Sequence, residues 1–553
     1  MADELGGLGV SPGVAYGTVL RMAPRPVVPA DLRAHGSSAE EAADAVRALE
    51  GVAAFLERKA TAAGGEAAAV LLAQAMMARD PSLADAVTAA TSQGDSAAHA
   101  LVTAFDGFAK VLAAAGPYLA GRVADLDDLK NRAVAGVLGL PVPGVPDPGH
   151  PYVLVAVDLA PADTAGLDPS VVVALVTEEG GPTSHTAILA KSLGLPAVVA
   201  CHGASALADG QAVLVDGGAG VVLVSPADAV VRRALATEQA RRDVFARSSG
   251  PGRTADGHPV QLLVNIGADS GLAAAAEVDA EGVGLFRTEF LFLDRPDEPG
   301  VEEQQASYTK VFEAFAGRKV VVRTLDAGAD KPLSFVHVPD EPNPALGVRG
   351  LRTAKRLPDL LDRQLRALAA AAAGTGAVVW VMAPMVSTPA EAAQFARQCR
   401  AAGLPVAGSM VEVPAAALRA SQLLDGCDFL SLGTNDLAQY TFAADRMAGD
   451  LAELLDPWQP ALLELVRLTA AAGVAHGKPV GVCGEAASDP LLALVLVGLG
   501  VGSLSMAPSA VAEVRASLAA HTLADCERLA HLALGADDGR GARAAVAGAT
   551  GSP

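Results

Sequence analysis

Between residues 257 and 534 the chain repeats one unit eight times: a short apolar run suited to a buried strand, then a stretch suited to a helix. The strand-like runs fall at 260–267, 282–290, 319–325, 378–386, 405–413, 428–433, 479–483 and 503–506. Eight β/α units in this length are what a TIM barrel requires, and such barrels carry their chemistry at the C-terminal ends of the strands. Asn265, Arg287, Arg323, Glu412, Asn435, Asp436, Cys483 and Ser505 fall at or just past those ends. Scattered polar residues would not line up this way. A (β/α)8 barrel over 257–534 is therefore expected.

The preceding residues read differently. Residues 7–22 suggest strand, turn and strand, while 37–138 are rich in Ala, Leu, Glu and Arg at helical spacing, with a helix start near Ser38 and Glu40. Strand patterns return at 153–157, 171–176, 197–200, 213–215 and 221–224. The simplest division is an α/β domain made of 1–30 and 140–225, with a helical bundle of four or five helices inserted at 31–139. Residues 226–256 read as a charged helix and hinge, and the Gly- and Ala-rich tail 535–553 is expected to be disordered.

With 553 residues, 51% of them hydrophobic, the chain can build about three ordinary domains. A net charge of −21 and a pI near 4.9 argue against nucleic acid and anionic membrane as partners. The five cysteines are scattered, so neither a disulfide frame nor a zinc site is expected. No apolar run is long enough to span a bilayer, and the first residues lack a basic-then-apolar leader. A cytoplasmic protein is expected.

One stretch carries covalent chemistry. Gly180-Gly181-Pro182-Thr183-Ser184-His185-Thr186-Ala187-Ile188 follows an apolar strand and opens a helix. The glycines let backbone amides approach a ligand, Thr183 and Ser184 suit a helix start, and free N–H groups there favour a phosphate added to His185. With the following Ser192-Leu193-Gly194-Leu195-Pro196-Ala197-Val198-Val199, the string resembles the active-histidine signature of the phosphoenolpyruvate-using phosphotransferases. That group comprises Enzyme I of the bacterial sugar phosphotransferase system, pyruvate phosphate dikinase and phosphoenolpyruvate synthase. The resemblance implies a swivelling phosphohistidine domain.

Phosphoenolpyruvate offers a carboxylate and a phosphate, and arginine forks bind both. Arg287, Arg323 and Arg349 converge on the barrel mouth by topology, and Arg446 adds a further cation. Glu412 and Asp436 end adjacent strands, a pair suited to Mg²⁺. A lone cysteine such as Cys483 is usually inert, but at this mouth it has a second possible role, protonating an enolate carbon; spacing leaves both open.

From Ser11-Pro12-Gly13 to about residue 520 these strings resemble the Enzyme I family. The resemblance implies that Arg287, Arg323, Asn435 and Arg446 hold phosphoenolpyruvate; from their positions Arg349 and Asp436 are expected to join them. It implies that Glu412 and Asp436 hold Mg²⁺ and that Cys483 is the acid; Gly181, Thr183, Asn265 and Lys331 are expected as supporting residues. His185 would pass its phosphoryl group to the small carrier HPr, docked on the helical insert near 117–138, and the barrel would form a homodimer interface. Two departures stand out: Pro182 occupies a position where many relatives have Arg, and in Ala73–Asp80 the family's usual His and Glu are largely replaced. The dikinase and the synthase need a nucleotide-binding region, whereas only about 180 residues precede His185 and no P-loop is present. The competing readings are a synthase relative without its nucleotide domain and a non-transferring sensor of phosphoenolpyruvate or pyruvate.

Overall fold

The computed structural model describes residues 3–550 apart from 24, 64, 115–122, 142, 147, 160–166, 182, 183, 268–270, 294, 296, 329–332, 334, 336–340, 342, 447 and 448. The chain divides into two compact units, Met1–Gln239 and Ala240–Pro553.

The first unit is built on an eight-stranded sheet in the order β1-β8-β7-β3-β4-β5-β6-β2. Its strands are β1 (Asp3–Gly6), β2 (Leu8–Ser11), β3 (Val14–Arg21), β4 (Tyr152–Ala156), β5 (Val172–Thr177), β6 (Ala197–Val199), β7 (Ala212–Asp216) and β8 (Val221–Val224). β3 to β6 run parallel and the flanking pairs are antiparallel. All five side chains of β4 are buried, which explains its unbroken apolar sequence: both faces of this strand are covered.

Five helices are described between β3 and β4: Ser38–Ala63, Gly65–Ala78, Pro81–Ser92, Ala97–Ala114 and Val123–Leu138. They enclose a core of their own, in which Leu49, Leu56, Leu101, Phe105 and Leu129 are buried. Because that core is closed without residues from the sheet, the insertion leaves the β3–β4 pairing intact, with Val19 beside Val153.

The second unit is a closed parallel barrel. Its strands are β9 (Gln261–Ile266), β10 (Gly282–Arg287), β11 (Lys319–Arg323), β12 (Val378–Ala383), β13 (Ala407–Val411), β14 (Phe429–Leu432), β15 (Val480–Val482) and β16 (Ser503–Met506). β16 pairs with β9 and closes the ring, so no strand edge is left open. Inward side chains Leu285, Val321, Met382, Met410 and Phe429 fill one side of the interior, as a barrel core requires. A larger apolar layer lies between strands and surrounding helices.

The expected disorder of 535–553 is corrected. Residues Gly539–Thr550 form a helix whose Ala542 and Val546 are fully buried in the barrel's apolar layer. Alanine is the strongest helix former, and an i, i+4 apolar pair suffices to dock such a helix on its neighbours. Low complexity concealed that stripe. Residues 551–553 lie outside the described set.

Candidate functional site

In the first unit, β5 precedes the helix His185–Leu193, and Glu179 and Gly180 between them are exposed. Gly180 adopts φ +102°, a conformation side-chain-bearing residues rarely take. Ser184 is the N-cap, its hydroxyl accepting from the Ala187 N–H at 3.3 Å. The helix ends on Gly194 in the left-handed conformation. Thr186 is buried and its hydroxyl donates to Asp158 at 3.3 Å, tying the first turn to the end of β4. His185 thus begins the helix, where unpaired N–H groups give a positive end. Only its backbone is described; Pro182, Thr183 and Lys331 lie outside the described residues, as do 117–122 of the segment read as a docking surface. Gly181 is half-buried beside the cap, and its carbonyl accepts from the Ser184 N–H at 3.0 Å.

The barrel mouth gathers the other groups. Arg287 and Arg323 are the last residues of β10 and β11; Glu412 and Cys483 follow β13 and β15 by one position. Asn435 and Asp436 lie in the first turn of the helix Thr434–Phe442, which starts after β14. Asn265 lies in β9 and binds its neighbours: its amide donates to the carbonyls of Cys483 and Ser505, and the Ser505 hydroxyl donates back to Oδ1.

Four carboxylates and three guanidiniums interlock at this end. Arg323 reaches Glu289 at 3.0 Å, Asp326 at 3.2 Å and Glu412 at 3.8 Å. Arg349 binds Asp326 through Nε at 3.3 Å and Nη2 at 2.8 Å, and Asp436 through Nη1 at 3.2 Å. Arg446 stands 3.7 Å from Asp436. Arg349 is fully buried, so its fork is engaged with carboxylates, whereas Arg287, at the end of β10, and Asn435, after β14, are exposed.

Burial opposes charge on Arg323, but Glu289, Asp326 and Glu412 outweigh it and raise its pKa, keeping it cationic. Burial pushes the Glu412 carboxyl to about 8, helped by Asp326 and Asp436. Met385, at φ +58°, donates its N–H to Glu412 at 2.8 Å. A Cβ on Gly433 would lie 2.8 Å from Glu412 Cγ, so only glycine allows this approach. Buried beneath the mouth at 2% exposure, Cys483 has its thiol pushed to about 11 by burial and donates to the Leu432 carbonyl at 3.5 Å. A thiol so placed stays protonated near neutrality, as an acid must.

Two buried polar atoms here, Arg323 Nε and Thr434 Oγ1, have no protein partner. Orphaned donors beside crowded carboxylates are what a site built for an added ligand shows. The donor set also fits a divalent cation: Glu412 and Asp436 bring oxygen ligands, and burial with Asp326 and Asp436 nearby raises the Glu412 carboxyl even though Arg323 stands 3.8 Å away.

The sequence reading passed over Asp326 and Glu289 as site residues. Asp326 is wholly buried and holds both Arg323 and Arg349; Glu289 also accepts the Asp326 N–H at 3.0 Å. The available signal was their position, each a carboxylate two or three residues past a strand-ending arginine.

Fold and site together define a barrel whose mouth gathers arginines and carboxylates suited to a small polyanion and a divalent cation, in a chain that also carries a histidine-bearing α/β unit. Family models match three stretches: "PEP-utilising enzyme, PEP-binding domain" over 243–523, "PEP-utilising enzyme, mobile domain" over 148–220, and "PEP-utilising enzyme, N-terminal" over 6–122. The chain belongs to the phosphoenolpyruvate-utilising enzyme family. It is 56% identical to a phosphoenolpyruvate-protein phosphotransferase of Streptomyces coelicolor, over 99% of each chain. A phosphoenolpyruvate-protein phosphotransferase of Haloferax volcanii is 42% identical, over 87% of each chain. A multiphosphoryl transfer protein of Xanthomonas campestris is 40% identical over 96% of this chain and 65% of its own length.

Proposed function

We infer that the protein is a phosphoenolpyruvate-protein phosphotransferase: it transfers the phosphoryl group of phosphoenolpyruvate to His185, releases pyruvate and passes the group to the carrier HPr. The observation that carries this reading is the buried set of Arg323, Glu412 and Asp436 at the barrel mouth, with Arg287 exposed at the end of β10. The identity to phosphotransferases along nearly the whole chain supports it over the sensor and the synthase readings.

Arg287, Arg323 and Arg446 bind the phosphate and carboxylate, and Asn435 donates from the helix start. Asp326, Arg349 and Glu289 hold those groups in place. Glu412 and Asp436 would hold Mg²⁺, which when bound would supply positive charge beside the phosphoryl group. The His185 imidazole attacks phosphorus in line with the departing enolate oxygen, so the N–P bond forms as the P–O bond breaks. Cys483 then donates its proton to the methylene carbon, giving pyruvate and a thiolate. Arg323 beside the site favours that anion.

His185 must visit both the barrel mouth and the carrier, which assigns 226–256, with the helix Asp228–Arg247, as the hinge. The helical insert, 31–139, is the carrier-docking surface, where Leu72 and Met76 are exposed and Arg79 bridges Glu50 and Glu57. The barrel, 257–534, is the dimerisation domain, and the enzyme works in the cytoplasm. No described helix is long and apolar enough to cross a membrane.

The test is intact-protein mass after mixing with phosphoenolpyruvate and Mg²⁺, without nucleotide, beside His185→Ala. An acid-labile phosphoryl adduct on the wild type only is expected. No adduct on folded protein overturns the reading and favours the sensor.

A further inference from the structure

Beneath Cys483 one side of the barrel interior is polar. Ser431 on β14 lines the same cavity as Cys483, and its hydroxyl eases ionisation of the sulfur. Below lies a small cavity of about 20 Å³ lined by Ser431, Cys483, Ser503, Ser505, Lys319 and Trp380. A space of that size with several polar walls holds one water molecule. Gly284 and Gly481 make room for Ser505 and Ser503, since a Cβ at either glycine would collide with the facing serine Oγ. At the floor, Lys319 begins β11 with Nζ 4.7 Å from the centre of the Trp380 ring, donating to Gln261 Oε1. Lys319, Val321 and Arg323 alternate along β11, so this ammonium and the mouth guanidinium stand at opposite ends of one strand face.

We propose that Lys319, the cavity and Ser431 form a proton route that recharges Cys483 from the floor of the barrel. The proposal rests on Cys483 being the acid of the reaction. When the thiol has given its proton to the enolate carbon, a C–H bond has formed, an S–H bond has broken and a thiolate remains. Ser431 passes its hydroxyl proton to sulfur and takes one from the cavity water, which takes one from the Lys319 ammonium. The neutral amine then takes a proton from solvent at the floor. One solvent proton is consumed per turnover, and every group returns to its starting state.

The floor is the open side because product occupies the mouth, and Cys483 is only 2% exposed. Burial lowers the Lys319 ammonium to about 8 while raising the Cys483 thiol to about 11, so transfer from ammonium to thiolate runs downhill. Lys319 is half-buried, with its stem against Trp380 and its tip beside Gln261 at the floor.

The test uses the full chain with pyruvate and Mg²⁺ in D₂O, following deuterium entering the pyruvate methyl group by NMR. Single-turnover phosphorylation of His185 is measured on the same preparations. Lys319→Met and Ser431→Ala are each expected to lower the ratio of exchange to phosphorylation about ten-fold or more, within the range typical of proton-transfer groups. Ser431→Thr, which keeps the hydroxyl, restores the ratio. If Ser431→Ala fails to fold, Lys319→Met decides, since its stem keeps the Trp380 contact. Cys483→Ala should abolish exchange. Exchange persisting in Cys483→Ala overturns the acid assignment and the route with it. Exchange lost there but unchanged in Lys319→Met overturns the route alone.

Discussion

Arg349 closes on Asp326 with two nitrogens, Nε at 3.3 Å and Nη2 at 2.8 Å, and both side chains are fully buried. Asp326 also faces Arg323 at 3.2 Å, so a single carboxylate fixes two guanidiniums of the mouth. Removing it leaves buried positive charge without its main partner. Asp326→Asn, which keeps the shape, is expected to destabilise the barrel by about 3–5 kcal/mol, the cost of breaking a buried pair. Urea midpoints of wild type and variant check this, and an unchanged midpoint would remove Asp326 from this role.

Arg287 offers the opposite case. It is exposed at the end of β10, with no ion pair recorded among the described residues. Arg287→Ala should therefore leave the thermal midpoint within about 1 °C, because exposed substitutions change stability little. The KM for phosphoenolpyruvate should rise at least about ten-fold, since a charged hydrogen bond contributes roughly 1.5–3 kcal/mol. Steady-state kinetics beside calorimetry separates the two effects.

Glu412 makes stability depend on pH. Burial, with Asp326 and Asp436 close by, raises its carboxyl to about 8. An acid raised on folding contributes stability that is complete below its unfolded pKa and is lost as pH climbs through the folded value. In metal-free protein the denaturation midpoint should fall between about pH 5 and pH 8, and Glu412→Gln should flatten that slope. Mg²⁺ competes with the proton, so its affinity should rise with pH over the same window. Calorimetric titration at several pH values reads both.

The closeness of Gly433 to Glu412 predicts a local lesion. In Gly433→Ala the new methyl would press on Glu412 Cγ from 2.8 Å. Displacement of the carboxylate should weaken Mg²⁺ binding more than it lowers the thermal midpoint. Mg²⁺ titration of the folded variant is the check, and wild-type affinity would refute it.

The helix Gly539–Thr550 should behave as part of the barrel. Val546 is fully buried, and Val546→Ala is expected to cost about 2 kcal/mol. Limited proteolysis should then cut first within 535–550, where the wild type is expected to resist cleavage.

Much of this molecule was legible from local pattern. The eight strands of the barrel lie within the eight apolar runs, because a strand buried on both faces has few acceptable residues besides Val, Leu, Ile and Ala. Of Thr183 and Ser184, which read as a helix start, Ser184 is the N-cap, because capping chemistry is local. The tail helix was missed because its burial depends on helices Pro490–Gly498 and Leu523–Leu534, which no property of residues 539–550 reveals. The partition of the arginines was equally hidden. Arg287, Arg323 and Arg349 look alike in sequence, yet Arg349 is enclosed by Asp326 and Asp436 while Arg287 stands at the rim.

By itself, the sequence determined the periodicity that closes a barrel, the capped turn carrying His185, and the set of charged residues at the strand ends. Those are short-range matters of side-chain period, backbone conformation and chain direction. Only the tertiary structure decided which carboxylate pairs with which guanidinium, how far Glu412 and Cys483 titrate from their ordinary values, and that a polar column runs beneath Cys483. The physical reason is that desolvation and Coulomb energy depend on neighbours brought together from strands far apart in the chain, and those distances exist only after the barrel has closed.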